Sequence, residues 1–330
     1  MVADAPQSGE ALLARSTNVD LRPRYEGSNI CTWIGFKHVN YLVEEAVLDH
    51  FRQAGMPARW LYEVHGVCLD LVELDTRILH AFHMDDLVAA EVLPDAAPED
   101  GRLGFRVELR VQRDVTVKAA TSRVRLVLRS DGEAPRDQAV ASLVTSSLPS
   151  ALPGADREGA SPVAAGRGNA VAWTWRVPYF YCHFSRHVQM SGYLRLMEEV
   201  VDLFLAERGV SIRTLLDRRK WIPVVPRSSI TVLDDALMEE ELTTVFTVEE
   251  VFKDLTYTAR MDCYVPRGGD PVHTMTGRIT HGYAFISSRR DWALVNFDEE
   301  LRLALSGGWG PGAAAGRGTV RSGEGTWNPS

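Results

Sequence analysis

Between Tyr181 and Gly209 the chain reads YCHFSRHVQMSGYLRLMEEVVDLFLAERG, which gathers the residue types that proton transfer needs. His187, Val188 and Gln189 stand just ahead of a segment whose apolar residues recur at Leu194, Met197, Val201, Phe204 and Leu205. That spacing is the 3.6-residue period of a half-buried helix, and Gly209 supplies its C-terminal stop. Polar groups at a helix start meet unpaired N–H groups and a partial positive charge, a suitable seat for a developing oxyanion. The paired acids Glu198 and Glu199 follow inside the helix. With Met197 at the centre of the apolar face, Glu198 lies at its edge and Glu199 points outward. A carboxylate at an apolar edge has a raised pKa, which suits a general base near neutral pH.

These residues must be positioned by larger elements, and the chain contains them twice. Tyr41 to Gly55 reads YLVEEAVLDHFRQAG, with Glu44-Glu45 answering Glu198-Glu199 and Gly55 answering Gly209, each 154 residues apart. The same offset relates Asp85-Asp86 to Glu239-Glu240. A unit of roughly 150 residues is too long for a solenoid repeat and indicates a duplicated domain. His38-Val39-Asn40 resembles His187-Val188-Gln189, with about five residues missing from the first approach loop. Glu44 takes the edge position of Glu198 in its own helix, and Tyr41 and Tyr193 read as wall residues. Asn40 and Gln189 are amides that orient a water or cap a helix start. His50 falls on the apolar face as a core histidine.

Both units run in the same order: strand, long helix, then several antiparallel strands. In the first, Asn29–Phe36 reads as a strand, Tyr41–Ala54 as the helix, and Val67–Leu79, Leu87–Leu93, Leu103–Val111 and Val115–Leu128 as strands. In the second, Ala170–Phe180, the helix 192–208, Val224–Val232, Glu241–Glu249, Leu255–Tyr264 and Met275–Ser287 repeat the order. The expected organisation is a flexible arm at 1–20, a first unit over 21–150 with linker character from about 129, and a linker at 151–169. A second unit over 170–305 and a glycine-rich, disordered tail at 306–330 complete it.

Composition narrows the classes. The 330 residues are 45% hydrophobic and 24% charged with net charge −8, ordinary globular usage that argues against nucleic acid and anionic membrane as partners. The four cysteines, Cys31, Cys68, Cys182 and Cys263, lack metal-type spacing and read as buried thiols in a reducing, cytoplasmic setting. His65, His80 and His83 follow no metal-ligand pattern, so no metal is expected. No phosphate loop and no Gly-Xaa-Ser-Xaa-Gly elbow is found, and no cofactor is expected.

The run His187-Val188-Gln189-Met190-Ser191-Gly192-Tyr193-Leu194, followed by Met197-Glu198-Glu199, resembles the helix-start signature of the 4-hydroxybenzoyl-CoA thioesterase-like family. That signature is a Gly-His-Val-Asn-Asn run, then Tyr-Leu, then an aromatic residue and Glu-Glu. The resemblance implies an α+β double hotdog: two tandem units, each a long helix wrapped by an antiparallel sheet, packed as a pseudo-dimer. It covers most of 29–128 and 170–287. The chain departs from the signature where members often carry Asp four residues before the histidine; His183 and Ile34 stand there. Arg186 and Lys37 replace the glycine before it.

The resemblance implies a thioesterase acting on an acyl-CoA or acyl-carrier-protein thioester, with a carrier protein as a partner and a homo-oligomer as one assembly. His187, Glu198, Gln189, His38, Glu44 and Asn40 are then the catalytic candidates, and His183, Ser191, Gly192, Tyr193 and Tyr41 the substrate-binding ones. The second unit is expected to hold the main site, with donors near Ser191 and Gly192 and Glu198 as base. A narrower reading is a natural-product enzyme that also adds glycine across an α,β-unsaturated acyl thioester, with Arg195, Arg213 or Arg227 on the glycine carboxylate. The alternatives are an enoyl-thioester hydratase or dehydratase and a non-catalytic acyl-binding protein.

Overall fold

A computed structural model describes residues 9–95, 101–131, 138–145, 148, 168–287 and 292–307. The expected linker up to residue 167 and the tail from 308 onward lie outside them. In chain order the first half holds α1 (Gly9–Ala14), β1 (Thr17–Leu21), α2 (Phe36–Gln53), α3 (Ala58–His65), β2 (Val67–Ile78), β3 (Leu87–Pro94), β4 (Leu103–Gln112) and β5 (Thr116–Ser130). Between the halves lie α4 (Gln138–Ala141) and β6 (Val144–Thr145). The second half holds β7 (Ala170–Arg176), α5 (Met190–Glu207), α6 (Ile212–Arg219), β8 (Trp221–Val232), β9 (Glu241–Phe252), β10 (Thr256–Arg267), β11 (Asp270–Ile286), β12 (Trp292–Leu294) and α7 (Glu299–Ser306).

Among the described residues the strands form one twelve-stranded sheet in the order β1-β3-β4-β5-β2-β8-β11-β10-β9-β7, with β12 on β11 and β6 on β5. The halves join where β2 pairs antiparallel with β8. Asp75 sits opposite Ser229, its own counterpart at the 154-residue offset, and Glu73↔Thr231 mirrors Arg77↔Arg227. A pseudo-twofold axis therefore passes through the Asp75–Ser229 pair, the arrangement of an isologous dimer fused into one chain. This is the expected double hotdog. The long helices α2 and α5 pack side by side, and each buries an apolar face: Val39, Val43, Ala46, Val47 and Phe51 on α2, and Leu194, Met197, Val201, Phe204 and Leu205 on α5. Each of the larger of these side chains contributes roughly 1.5–3 kcal/mol by burial.

The duplication is tighter than the motifs suggest. α2 and α5 start 154 residues apart, as do the short 3₁₀ turns Tyr25–Gly27 and Tyr179–Tyr181. The bridge Trp33↔His83 answers His187↔Leu237, and Asp85 and Glu239 share the left-handed conformation at φ 72 and 71°. No residues are lost from the first approach loop. His38-Val39-Asn40 lies inside the first turns of α2 and answers Gly192-Tyr193-Leu194, while the counterpart of His187 is Trp33. The resemblance of two His-Val-amide triplets is therefore not structural equivalence.

Other expectations shift for local reasons. Asn29–Phe36 is a turn-rich approach rather than a strand, held by Asn29 N–H to Trp33 O at 2.6 Å and Gly35 N–H to Gly27 O at 3.0 Å. Thr17–Leu21, expected in a loose arm, is an edge strand paired with β3, and Leu12 before it is fully buried. The second unit was expected to end at 305; α7 runs to Ser306 with Leu301, Ala304 and Leu305 in the core. The short helices α3 and α6 escaped the periodicity, since each spans only 8 residues.

Candidate functional site

The amino end of α5 is built by a tight approach loop. Gln189 is the extended residue before the helix, and its carbonyl takes the N–H groups of Gly192 and Tyr193. The N–H groups of Met190 and Ser191 find no hydrogen-bond partner among the described residues and face outward along the helix axis, as first-turn donors do. Gly192 was expected to be a donor; its N–H is committed, and its role is steric. A Cβ there would lie 2.8 Å from the Tyr181 carbonyl oxygen. Tyr193, expected to line the substrate, is wholly buried in the core.

His187 is held from the other half of the molecule. Its Nε2 donates to Asp70 Oδ1 of β2 at 3.0 Å, and Gln189 Nε2 donates to the same oxygen at 3.3 Å. Asp70 is only 4% exposed. Its second oxygen accepts from Arg129 Nε at 2.7 Å, and Arg129 forks onto Asp235 at 2.8 and 3.0 Å. Burial alone would raise the Asp70 pKa; the bond from His187 and the charges of His187 and Arg129 override it and hold the carboxyl below its ordinary value. An ionised Asp70 fixes the His187 ring and leaves Nδ1 for other work. Beside this group the His183 ring meets the Ser191 hydroxyl at 2.5 Å, and Tyr41 donates to the Ser191 carbonyl at 3.4 Å. Burial, then the Arg195 charge, lowers the His183 pKa.

The acids divide in a way the helical wheel does not reveal. Lys37 on the first turn of α2 donates to Glu198 at 2.5 Å, and Arg195 donates to Tyr41 at 3.3 Å. The two helices thus run antiparallel along a seam of Lys37, Tyr41 and Glu44 against Ser191, Arg195 and Glu198. Under the pseudo-twofold, the contact Lys37–Glu198 maps onto Ser191–Glu44. By this symmetry Glu44 corresponds to Glu198, and Ser191 stands where the other pair has its lysine. Glu198 is neutralised and 45% exposed at its side chain. Glu44 has no ion-pair partner among the described residues, and burial followed by the Glu45 charge pushes its pKa up to about 7. Glu198, expected as the base, is a salt-bridged and partly exposed acid, whereas its counterpart Glu44 in the first unit carries the raised pKa.

The remaining candidates make their contacts within the fold. Asn40 is fully buried, donating to Phe36 O and Ser228 Oγ and accepting from Thr76 at 2.6 Å, which ties the two halves near the axis. His38 packs on Gly27, where a Cβ would lie 2.5 Å from its ring, and burial, then the Lys37 charge, lowers its pKa. His50 Nε2 donates to Leu12 O at 2.8 Å while Nδ1 accepts from Thr17 at 2.7 Å. The arginines considered for a glycine carboxylate are engaged: Arg195 on Tyr41, Arg213 with Asp217, and Arg227 with Asp75 at 2.9 Å. Cys182 is buried with its pKa pushed up to about 11, and Cys68 to about 12. Cys31 is only partly buried.

The place related to this group by the pseudo-twofold has opposite chemistry. Where the polar group has His183, His187, Gln189, Asp70 and Glu44, the other has Asn29, Trp33, Gly35, Val224 and Glu198, and these line a cavity of about 900 Å³. Asp70, Arg129 and the cavity escaped sequence reasoning. Asp70 sits within an alternating strand, where an acid reads as solvent-facing; the one available signal was Val224 at the corresponding position of the repeat.

Comparison with known proteins agrees with this architecture. Residues 177–304 match the family model of the thioesterase-like superfamily. Among solved structures, a 12:0-ACP thioesterase from Umbellularia californica aligns at TM-score 0.57 with 11% identity, over 81% of this chain and 93% of that one. A Lactobacillus plantarum protein assigned as an oleoyl thioesterase aligns at TM-score 0.57 with 13% identity, over 82% of this chain and 96% of that one. An acyl-ACP thioesterase from Bacteroides thetaiotaomicron aligns at TM-score 0.52 with 13% identity, over 83% and 99%. At these identities the likeness establishes the shared fold. No curated protein sequence matches the chain.

Proposed function

We propose, from the match of residues 177–304 to the thioesterase-like superfamily, that the chain hydrolyses an acyl thioester at the amino end of α5. The observation that carries the reading is the His187–Asp70 pair, a 3.0 Å bond across the two halves beside unpaired helix-start donors. The thioester carbonyl oxygen accepts the N–H groups of Met190 and Ser191, which stabilise the tetrahedral oxyanion. Glu44, with a pKa of about 7, takes a proton from the attacking water. The new C–O bond forms as that proton moves to Glu44, and collapse of the oxyanion expels the thiolate. Asp70 and Gln189 keep the His187 ring in one orientation, so that it positions the water or the carbonyl.

The proposed substrate is an acyl-CoA or an acyl-carrier-protein thioester. No helix among the described residues is long and apolar enough to cross a membrane; a cytoplasmic setting, with the four thiols free, completes the reading. Glycine addition and a natural-product role form a narrower version, to which the engaged arginines lend no support. Thiol release from a panel of saturated and α,β-unsaturated acyl thioesters, with and without glycine, is the test. The wild type should release thiol, and His187→Ala should lose most of the turnover while keeping its melting temperature. A panel that yields no thiol at any chain length sinks the hydrolytic reading; enoyl absorbance changes without thiol release would favour a hydratase.

A further inference from the structure

The outer face of the sheet carries arginines that the fold leaves without counter-charges. In β2 and β5 the side chains of Thr76 and Ser122 meet on the side of α2, where Thr76 also donates to Asn40. Strand alternation turns their neighbours Asp75, Arg77, Thr121 and Arg123 to the opposite face. The pairing registers set these residues in two rows across β4, β5, β2 and β8. One row is Glu108, Thr121, Arg77 and Arg227, and the next is Arg106, Arg123, Asp75 and Ser229. Arg106 therefore stands directly opposite Arg123, and Arg77 directly opposite Arg227. Like charges directly opposite one another destabilise a sheet.

The acids on this face are already committed. Arg227 forks onto Asp75 at 3.1 and 2.9 Å, and Glu108 accepts from Lys118 and from Arg110, each at 2.6 Å. Arg77, Arg106 and Arg123 are exposed and have no hydrogen bond or ion pair among the described residues. The second half shows the contrast. Arg260 and Arg278 repeat the opposed pair in β10 and β11, but there Arg260 meets Asp262 and Arg278 meets Glu249, each at 2.9 Å. Thr231 stands in the place of Arg77. Around Thr121 the first half forms a pocket of about 510 Å³, walled by the four arginines Arg77, Arg106, Arg123 and Arg227, with Lys118 and Leu93 at its edges. Five cations face two carboxylates there, on a chain whose net charge is −8.

We infer that this pocket binds a small molecule bearing a phosphate or diphosphate group, anchored by Arg77, Arg106 and Arg123. A guanidinium stays charged at any working pH, and its planar fork matches phosphate oxygens. Arg123 stands opposite Arg106 and diagonal to Arg77, within roughly 8 Å of each at the backbone, so three long side chains can converge on one group. The Thr121 hydroxyl lies between them at the floor. The volume lies in the range of small-molecule sites and exceeds what a phosphate fills, which leaves space for an organic part. An acidic protein surface is the poorer fit, because the guanidinium groups line a concavity. The inference goes beyond the hydrolytic reading: Arg77 and Asp70 lie roughly 20 Å apart along β2, and binding here does not need Glu44 to act as a base.

The test is titration calorimetry of the full chain at low ionic strength with pyrophosphate, adenosine diphosphate and coenzyme A, and with adenosine as the uncharged control. Coenzyme A against adenosine diphosphate separates the tail of a thioester from a free nucleotide. At least one of the three anions should bind, more weakly as salt is raised, and adenosine should not. Arg77→Gln, Arg106→Gln and Arg123→Gln should each weaken that binding about tenfold, and the triple substitution should abolish it. Arg278→Gln, at the corresponding place in the other half, should leave the affinity within about twofold. Without ligand the triple variant should melt no lower than the wild type, since it relieves like-charge repulsion. Binding of none of the anions, affinity that survives the triple substitution, an equal loss in Arg278→Gln, or a triple variant that melts several degrees lower would each overturn the inference. So would an acidic carrier protein that docks on these arginines while no small anion binds. Thiol release is read separately, so loss of the hydrolytic reading leaves this outcome legible.

Discussion

Replacing Glu44 by glutamine should slow the proposed hydrolysis and stabilise the fold at once, and both effects come from one desolvated carboxylate. The kinetic loss is that of a general base, about 10²–10⁴-fold in turnover. In the wild type the base must be ionised, so with a pKa of about 7 the rate should rise roughly tenfold between pH 6 and pH 8. The thermodynamic sign follows from linkage. In the unfolded chain Glu44 ionises near 4.5, and in the folded chain near 7. Between those values the folded state keeps a proton that the unfolded state has released. Stability therefore falls as pH rises through this window and stays lower above it. At 1.36 kcal/mol for each tenfold step the ceiling is about 3 kcal/mol. Residual solvent contact screens part of it, leaving about 1–3 kcal/mol. Glu44→Gln removes the penalty, so its melting temperature at pH 8 should exceed that of the wild type by several degrees, and the gap should close near pH 5. Glu198→Gln, which breaks an exposed ion pair, should change stability by no more than about 1 kcal/mol and leave the pH–rate profile in place. The assays are thiol release and calorimetric melting, each against pH. A Glu44→Gln protein that keeps full turnover, or that melts lower at pH 8, refutes the reasoning.

Asp70→Asn should cost about 1.5–3 kcal/mol, since Arg129 keeps its fork onto Asp235 but loses one buried charged acceptor, and should reduce turnover by freeing the His187 ring; chemical denaturation and thiol release read the two losses. For the wild type, the depressed Asp70 pKa predicts that its contribution is full above the unfolded-state value and disappears as pH falls through the folded-state value, visible as acid unfolding that Asp70→Asn lacks. Residues 1–150 and 151–330 expressed separately should precipitate or associate, because each exposes the β2 or β8 edge; two soluble monomers by light scattering would contradict the fused-dimer interface. Truncation after Gly307 should leave the melting temperature unchanged, whereas truncation before Glu299 should lower it by uncovering the pocket that Leu301 and Leu305 fill.

The amino-acid sequence by itself determined the duplication, the two long helices and most of the strands that follow each of them. Helix faces follow from a period that only local geometry sets, and the 154-residue offset survives because a fused pseudo-dimer must keep both copies in register at β2 and β8. It also drew attention to the start of α5, through His187 and Gln189, where the proposed site lies. It could not show that Glu44, and not Glu198, is the acid with the raised pKa. The two occupy identical positions on identical wheels, and they differ in what stands at the corresponding place across the seam, Ser191 or Lys37. Nor could it connect Asp70 to His187, which are 117 residues apart and meet only because β2 of one half runs beside the helix start of the other. Periodicity is a property of one element and is written in its residues. Charge, desolvation and hydrogen bonding belong to pairs of elements, and only packing decides which residues become pairs.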